Sequence, residues 1–136
     1  MKCLSVSEEN ARRPAVPSSP RMTLAGLVSH LRWVEHFWFE RKLAGRDDPA
    51  PYDGPDPDAD WDPAAGIGIA RLLDDYDAQC DRSRAVAAEL DLSAESRFGT
   101  RPATLRWVLN HLIEETARHN GHADLLRELL DGQKGL

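Results

Sequence analysis

The chain has too few cysteines for a disulfide or zinc-finger framework: only Cys3 and Cys80, with no CxxC pair. Such sparse usage implies a reducing, cytoplasmic setting. Neither thiol has flanking residues that would activate it, so both read as incidental. Long hydrophobic runs are missing too. The first 20 residues carry no signal-peptide core, and nowhere do about 18 apolar residues follow one another. The expectation is a protein that is neither secreted nor membrane-spanning. Positive charge is in deficit, with 17 Lys and Arg against 23 Asp and Glu and a net charge of −6. That argues against nucleic acid or an anionic membrane as the main partner, since both need a basic patch. Absent as well are β-type alternation, an internal repeat and a Gly-rich phosphate loop.

What is present is helical patterning in a chain of 136 residues, enough for one domain with a core of its own. Residues 1–22 hold Pro14, Pro17 and Pro20 and read as an irregular arm. Residues 23–136 read as an all-α bundle. Thr23 is placed as an N-cap, and a helix follows to Ala44, with Gly45 as its terminator. Leu24, Leu27, Val28, Leu31, Val34, Phe37 and Trp38 form its apolar stripe. Residues 46–63 contain five prolines and seven Asp, a connector that reads as solvated, since EF-hand spacing for calcium is lacking. A helix of about 22 residues is roughly 33 Å long, which an extended connector of about 18 residues can span. The next helix can therefore run parallel to the first. It is expected over residues 64–90, weakened at its start by Gly66 and Gly68. A polar loop over 91–101 follows, and Pro102 and Thr104 announce a third long helix that ends at Asp131 before Gly132.

All five histidines fall on two of these helices, His30 and His36 on the first and His111, His119 and His122 on the third. At about 100° per residue, His111, Glu115, His119 and His122 lie within roughly 80° of one another, on a face that borders the apolar stripe. Glu115 and His119 are an i,i+4 pair able to share one ion. His30 sits inside the stripe of the first helix, whereas the same repeat turns His36 away to solvent. Taken singly, each would read as a core histidine or a surface pair. Together, His30, Glu115 and His119 make a bundle-core ligand set suited to Zn, Ni, Fe or Mn, with positions left open for water or substrate. His122 and His111 could be extra ligands, His122 being one turn past His119, but they are expected beside the ligands or lining the pocket. Trp33, Trp38 and Trp107 would wall a pocket there or simply pack the core.

Two stretches carry a family resemblance: Thr23-Leu-Ala-Gly-Leu-Val-Ser-His-Leu-Arg-Trp-Val-Glu35 with Trp38-Phe39, and the run from Leu105 to Glu128 with its GluGluThrAlaArgHis-x-GlyHis core. They resemble the DinB/YfiT-like superfamily, in particular an actinobacterial branch of unknown function. The resemblance implies a DinB-like helical bundle with a long crossover, and one divalent metal held by a His of the second family helix and an i,i+4 pair of the last. Many members use His-His for that pair, whereas the mycothiol-dependent maleylpyruvate isomerases use Glu-His. The matching positions here are His30, Glu115 and His119.

The resemblance also implies S-transfer or isomerisation with mycothiol or a similar low-molecular-weight thiol, acting on an electrophile that the residues do not identify. The rival is a non-catalytic, shortened family member that binds metal or a small ligand; a structural module without metal is a third reading. The acidic connector would repel an anionic substrate. The family pattern has a helix before the Pro-rich arm, and this chain begins where that helix would be ending. Three broad stripes without a fourth helix leave a groove uncovered, so a homodimer is expected, each copy shielding the other.

Overall fold

Capping and termination follow the sequence closely at most helix ends. A computed structural model describes residues 5–96 and 102–135; Cys3 and the end of the 91–101 loop lie outside them. Helix α1 spans Glu8–Arg12, α2 Leu24–Glu35, α3 Ile69–Ala88 and α4 Leu105–Asp131, with no strand among the described residues. The Thr23 hydroxyl accepts the Gly26 N–H at 2.9 Å, which starts α2. Thr104 does the same for α4 through the Trp107 N–H, and Gly132, at φ 74°, closes that helix in the left-handed conformation.

Three elements differ from expectation. The arm is not wholly irregular, because α1 forms just before Pro14, with the Ser7 hydroxyl as its N-cap. This single turn completes α3. Gly68 offers no side-chain cap, and the Glu8 carboxylate accepts the Ile69 N–H at 2.9 and 3.1 Å instead. Arg12 donates to the carbonyls of Pro63, Ala64 and Ile67, tying the connector's end to the arm. Second, α3 starts at Ile69, later than the expected residue 64, because Gly66 takes φ 88° and breaks the repeat. Third, the first long helix changes pitch. From His36 to Leu43 it is a π-helix, whose end is marked by the Ala44 N–H bonding to the Phe39 carbonyl. A π turn advances each residue less around the axis than an α turn. Phe39 and Leu43 therefore face the core, at 3% and 2% exposure, while Phe37 and Trp38 stay half-buried.

The core has two ends. At one, Leu24, Leu27 and Val28 of α2 meet Ile69 and Leu72 of α3 and Ala123 and Leu126 of α4. At the other, Phe39 and Leu43 meet Val86 and Leu90 near the end of α3 and Leu105, Val108 and Leu112 of α4. So α2 and α3 run parallel, α4 runs antiparallel to both, and the connector is a crossover. Helix α2 packs against α3 on one side and α4 on the other. Between α3 and α4, above Phe39, lies a groove of about 480 Å³ whose walls include Leu109, Leu112 and Ile113. Cys80 faces it, and burial raises its thiol pKa, in keeping with an unreactive thiol.

Candidate metal centre and adjoining cavity

The antiparallel pairing of α2 and α4 brings His30 opposite Glu115 and His119. One ligand atom from each lies within 4.8 Å of the other two. His119 Nε2 stands 3.2 Å from Glu115 Oε2, and the rings of His30 and His119 meet edge to face at 5.0 Å. Ligands about 2.0–2.2 Å from a tetrahedral ion stand about 3.4 Å apart, so small side-chain rotations would close this set.

The ring nitrogens are sorted by their partners. His30 Nδ1 lies 2.7 Å from Asp60 Oδ2; the carboxylate can only accept, so Nδ1 carries the proton and the Nε2 lone pair is left for a ligand. His119 Nδ1 lies 3.2 Å from His122 Nδ1, which leaves His119 Nε2 toward Glu115. Two imidazoles with their far nitrogens engaged, plus a carboxylate, fit a divalent transition metal. His119 is buried, and that burial pushes its imidazole below the usual pKa; His30 acts in the same sense and Glu115 opposes it. The neutral, metal-binding form is thereby favoured. Glu115 Oε1 also accepts from Arg118 at 2.6 Å, which holds the carboxylate in place from outside.

Asp60 and Trp61 belong to the connector, which reads in sequence as a solvated segment. Asp60 is instead 6% exposed, and Trp61 stacks on His30 at 4.2 Å and 16°. The crossover is clamped to α2 here. Ser29 donates to the Asp60 carbonyl at 2.6 Å, and a Cβ on Gly26 would come within 2.8 Å of the Trp61 carbonyl. Other connector acids are also paired, Asp56 and Asp62 with Arg21 and Asp53 with Arg41. The only sequence signal for Asp60 was its place within reach of a chain that had to cross the bundle.

His36 does not face solvent. It is 5% exposed, with Trp33 against its ring and the Tyr52 hydroxyl 3.4 Å from Nδ1, because the crossover covers this face of α2. His36, Glu40 and Asp48 also come close together. Glu40 has both oxygens engaged, by Gln79 and Arg82 on one and Arg46 on the other, so a cation would have to displace guanidinium groups there.

His30 and Glu115 form one end of a cavity of about 310 Å³. Its walls are mostly aromatic, Trp33, Phe37, Trp38, Tyr52 and His111, with Val34 and Asp60 between them. His111 therefore lines the cavity and stands outside the donor group. Trp107 stacks on His111 at 4.9 Å and 16°, beyond the lining and half-exposed.

Compared with known families, residues 1–132 match the family described as mycothiol-S-transferase. No curated protein and no solved structure matches the chain.

Proposed function

The chain belongs to the mycothiol-S-transferase family, and from that premise we propose that it is a metal-dependent enzyme joining mycothiol, or a similar small thiol, to an electrophile or using it in an isomerisation. The observation that carries this reading is the convergence of His30, Glu115 and His119 beside a cavity. A divalent ion held by them would offer an open position to a thiol sulfur and lower its pKa, so that the thiolate persists at neutral pH. The chain's own residues would do the rest. Asp60 keeps the His30 Nε2 lone pair available, and His122 engages the far nitrogen of His119. Trp61 stacks against His30 and stands edge-on to His119, covering both rings. Glu115, as a ligand also bonded to Arg118, serves better as a fixed negative charge than as a base.

Zn, Ni, Fe and Mn all suit this donor set, and Mg and Ca do not. Protein purified without a His tag should carry or take up close to one such ion per chain. His30→Ala and His119→Ala should each abolish tight uptake, and His36→Ala should not. Equal retention in all three variants would refute the centre as built. Thiol-dependent loss of an electrophile by the metal-loaded protein would establish catalysis; uptake of metal and thiol without turnover would leave a binding protein.

A further inference from the structure

We propose that the cavity beside the donor set is the electrophile's subsite and that it takes an uncharged, planar aromatic molecule. The inference rests on the thiol-transfer reading and extends it to the second substrate. Three observations carry it.

The walls come first. Trp33, Phe37, Trp38, Tyr52 and His111 put aromatic surface on several sides of a space that ends at His30 and Glu115. Aromatic pairs favour offset or edge-to-face packing of a flat ring, a preference that aliphatic walls lack. Several of these rings already stand edge-on to one another, as Phe37 does to Trp38 and Tyr52.

Charge comes second. No Lys or Arg lines the cavity, and its carboxylates are Asp60 and Glu115. With the ion's two charges balanced by these carboxylates and its open position given to the thiol sulfur, a carboxylate substrate would find no donor fork and no net attraction. A cationic substrate fares no better. Arg32 lies 3.7 Å over the Trp33 ring, Arg41 5.8 Å over Tyr52 and Lys42 4.9 Å over Phe37. Three of the rings that would otherwise attract a cation are already engaged by one.

Size comes third. A volume of about 310 Å³ lies at the small end of ligand pockets, room for one or two rings and too little for a two-ring polyol thiol as well. The thiol would bring only its sulfur to this end. In the transfer, sulfur forms a bond to an activated ring carbon while the bond from that carbon to a halide breaks. The halide leaves with the electron pair, and the thiol's proton passes to solvent.

The test separates binding from chemistry by titrating the metal-loaded protein, without thiol, with three unreactive rings of one size. These are nitrobenzene, 4-nitrobenzoate and 4-nitrophenyl-trimethylammonium, each followed by saturable quenching of tryptophan fluorescence. Nitrobenzene should bind at least about tenfold more tightly than either ion. Tyr52→Ala, which removes a wall borne on the connector and leaves the helical core untouched, should weaken it about tenfold, and Trp38→Ala likewise. Tighter binding of the benzoate or the ammonium ion, no saturable binding of any ring, or displacement of nitrobenzene by a methyl glycoside would each overturn the proposal. Thiol turnover is scored separately, so this subsite can fail while the thiol reading stands, and the reverse.

Discussion

Glu40 shows how one side chain can be costly to bury and still hold the molecule together. Burial pushes its carboxyl pKa up, but hydrogen bonds from Gln79, Arg82 and Arg46 outweigh that and hold it below the usual range. A depressed folded-state value gives a stability contribution that is complete above the unfolded value near 4.5 and is lost as pH falls through the folded one. Glu40→Gln should therefore flatten the acid limb of the stability profile, measured by urea unfolding at successive pH values. Glu40→Ala should cost about 2–3 kcal/mol, less than the ~3–5 kcal/mol of a fully buried pair, because Arg46 and Arg82 can rehydrate. At the candidate centre, Asp60→Asn should weaken metal affinity about 10–100-fold while stoichiometry stays at one, read by competition with a chelating dye. Unchanged affinity would mean that the Asp60–His30 bond does not orient the ligand. That His30, Glu115 and His119 share inward faces was legible in the sequence, because angular position on an amphipathic helix is local information; that they stand at one level came from the family resemblance. Asp60 was not, because nothing local distinguishes it from six other Asp in the same connector.

At the scale of elements, capping residues announced the start of α2 and both ends of α4, and the proline-rich length of the connector announced the crossover. The π stretch was hidden. Its hydrogen bonds reach one residue farther than those of an α-helix, and an apolar pattern of two turns fits either repeat. The assignment of His36 to solvent failed for a different reason: the face it occupies is covered by a segment with no periodicity to read. Where that segment crosses α2, Gly26 has no room for a side chain. A Cβ would come within 2.5 Å of the Arg21 carbonyl as well as 2.8 Å of that of Trp61. Gly26→Ala should cost about 1–3 kcal/mol. It should also weaken metal uptake, because the connector would have to lift Asp60 and Trp61 away from His30. Thermal melts with and without metal would show both effects, and a variant that lost stability alone would disconnect the crossing from the centre.

At the scale of the whole molecule, the groove between α3 and α4 leaves apolar surface uncovered. Ile113, 68% exposed at its edge, adds apolar area to walls that already hold Leu109 and Leu112. Patches of this kind rarely stay open on a protein in solution. A second copy, related by a two-fold axis so that Ile113 of each chain enters the other's groove, would cover both at once. Sedimentation at micromolar concentration should show a dimer, and Ile113→Glu should shift it to monomer while leaving metal uptake intact. A monomer before mutation would count against this arrangement.

The donor set also matters to the chain as a polymer. His30 lies in α2 and His119 in the second half of α4, with the connector and α3 between them. An ion held by both would act as a reversible cross-link that closes most of the chain into one loop. Such a closure removes configurations from any state that still holds the ion, and opening α2 from α4 then requires the ion to leave. The metal-loaded protein should consequently unfold more slowly than the metal-free form. Its unfolding rate should also rise with chelator concentration until metal release is no longer the slow step.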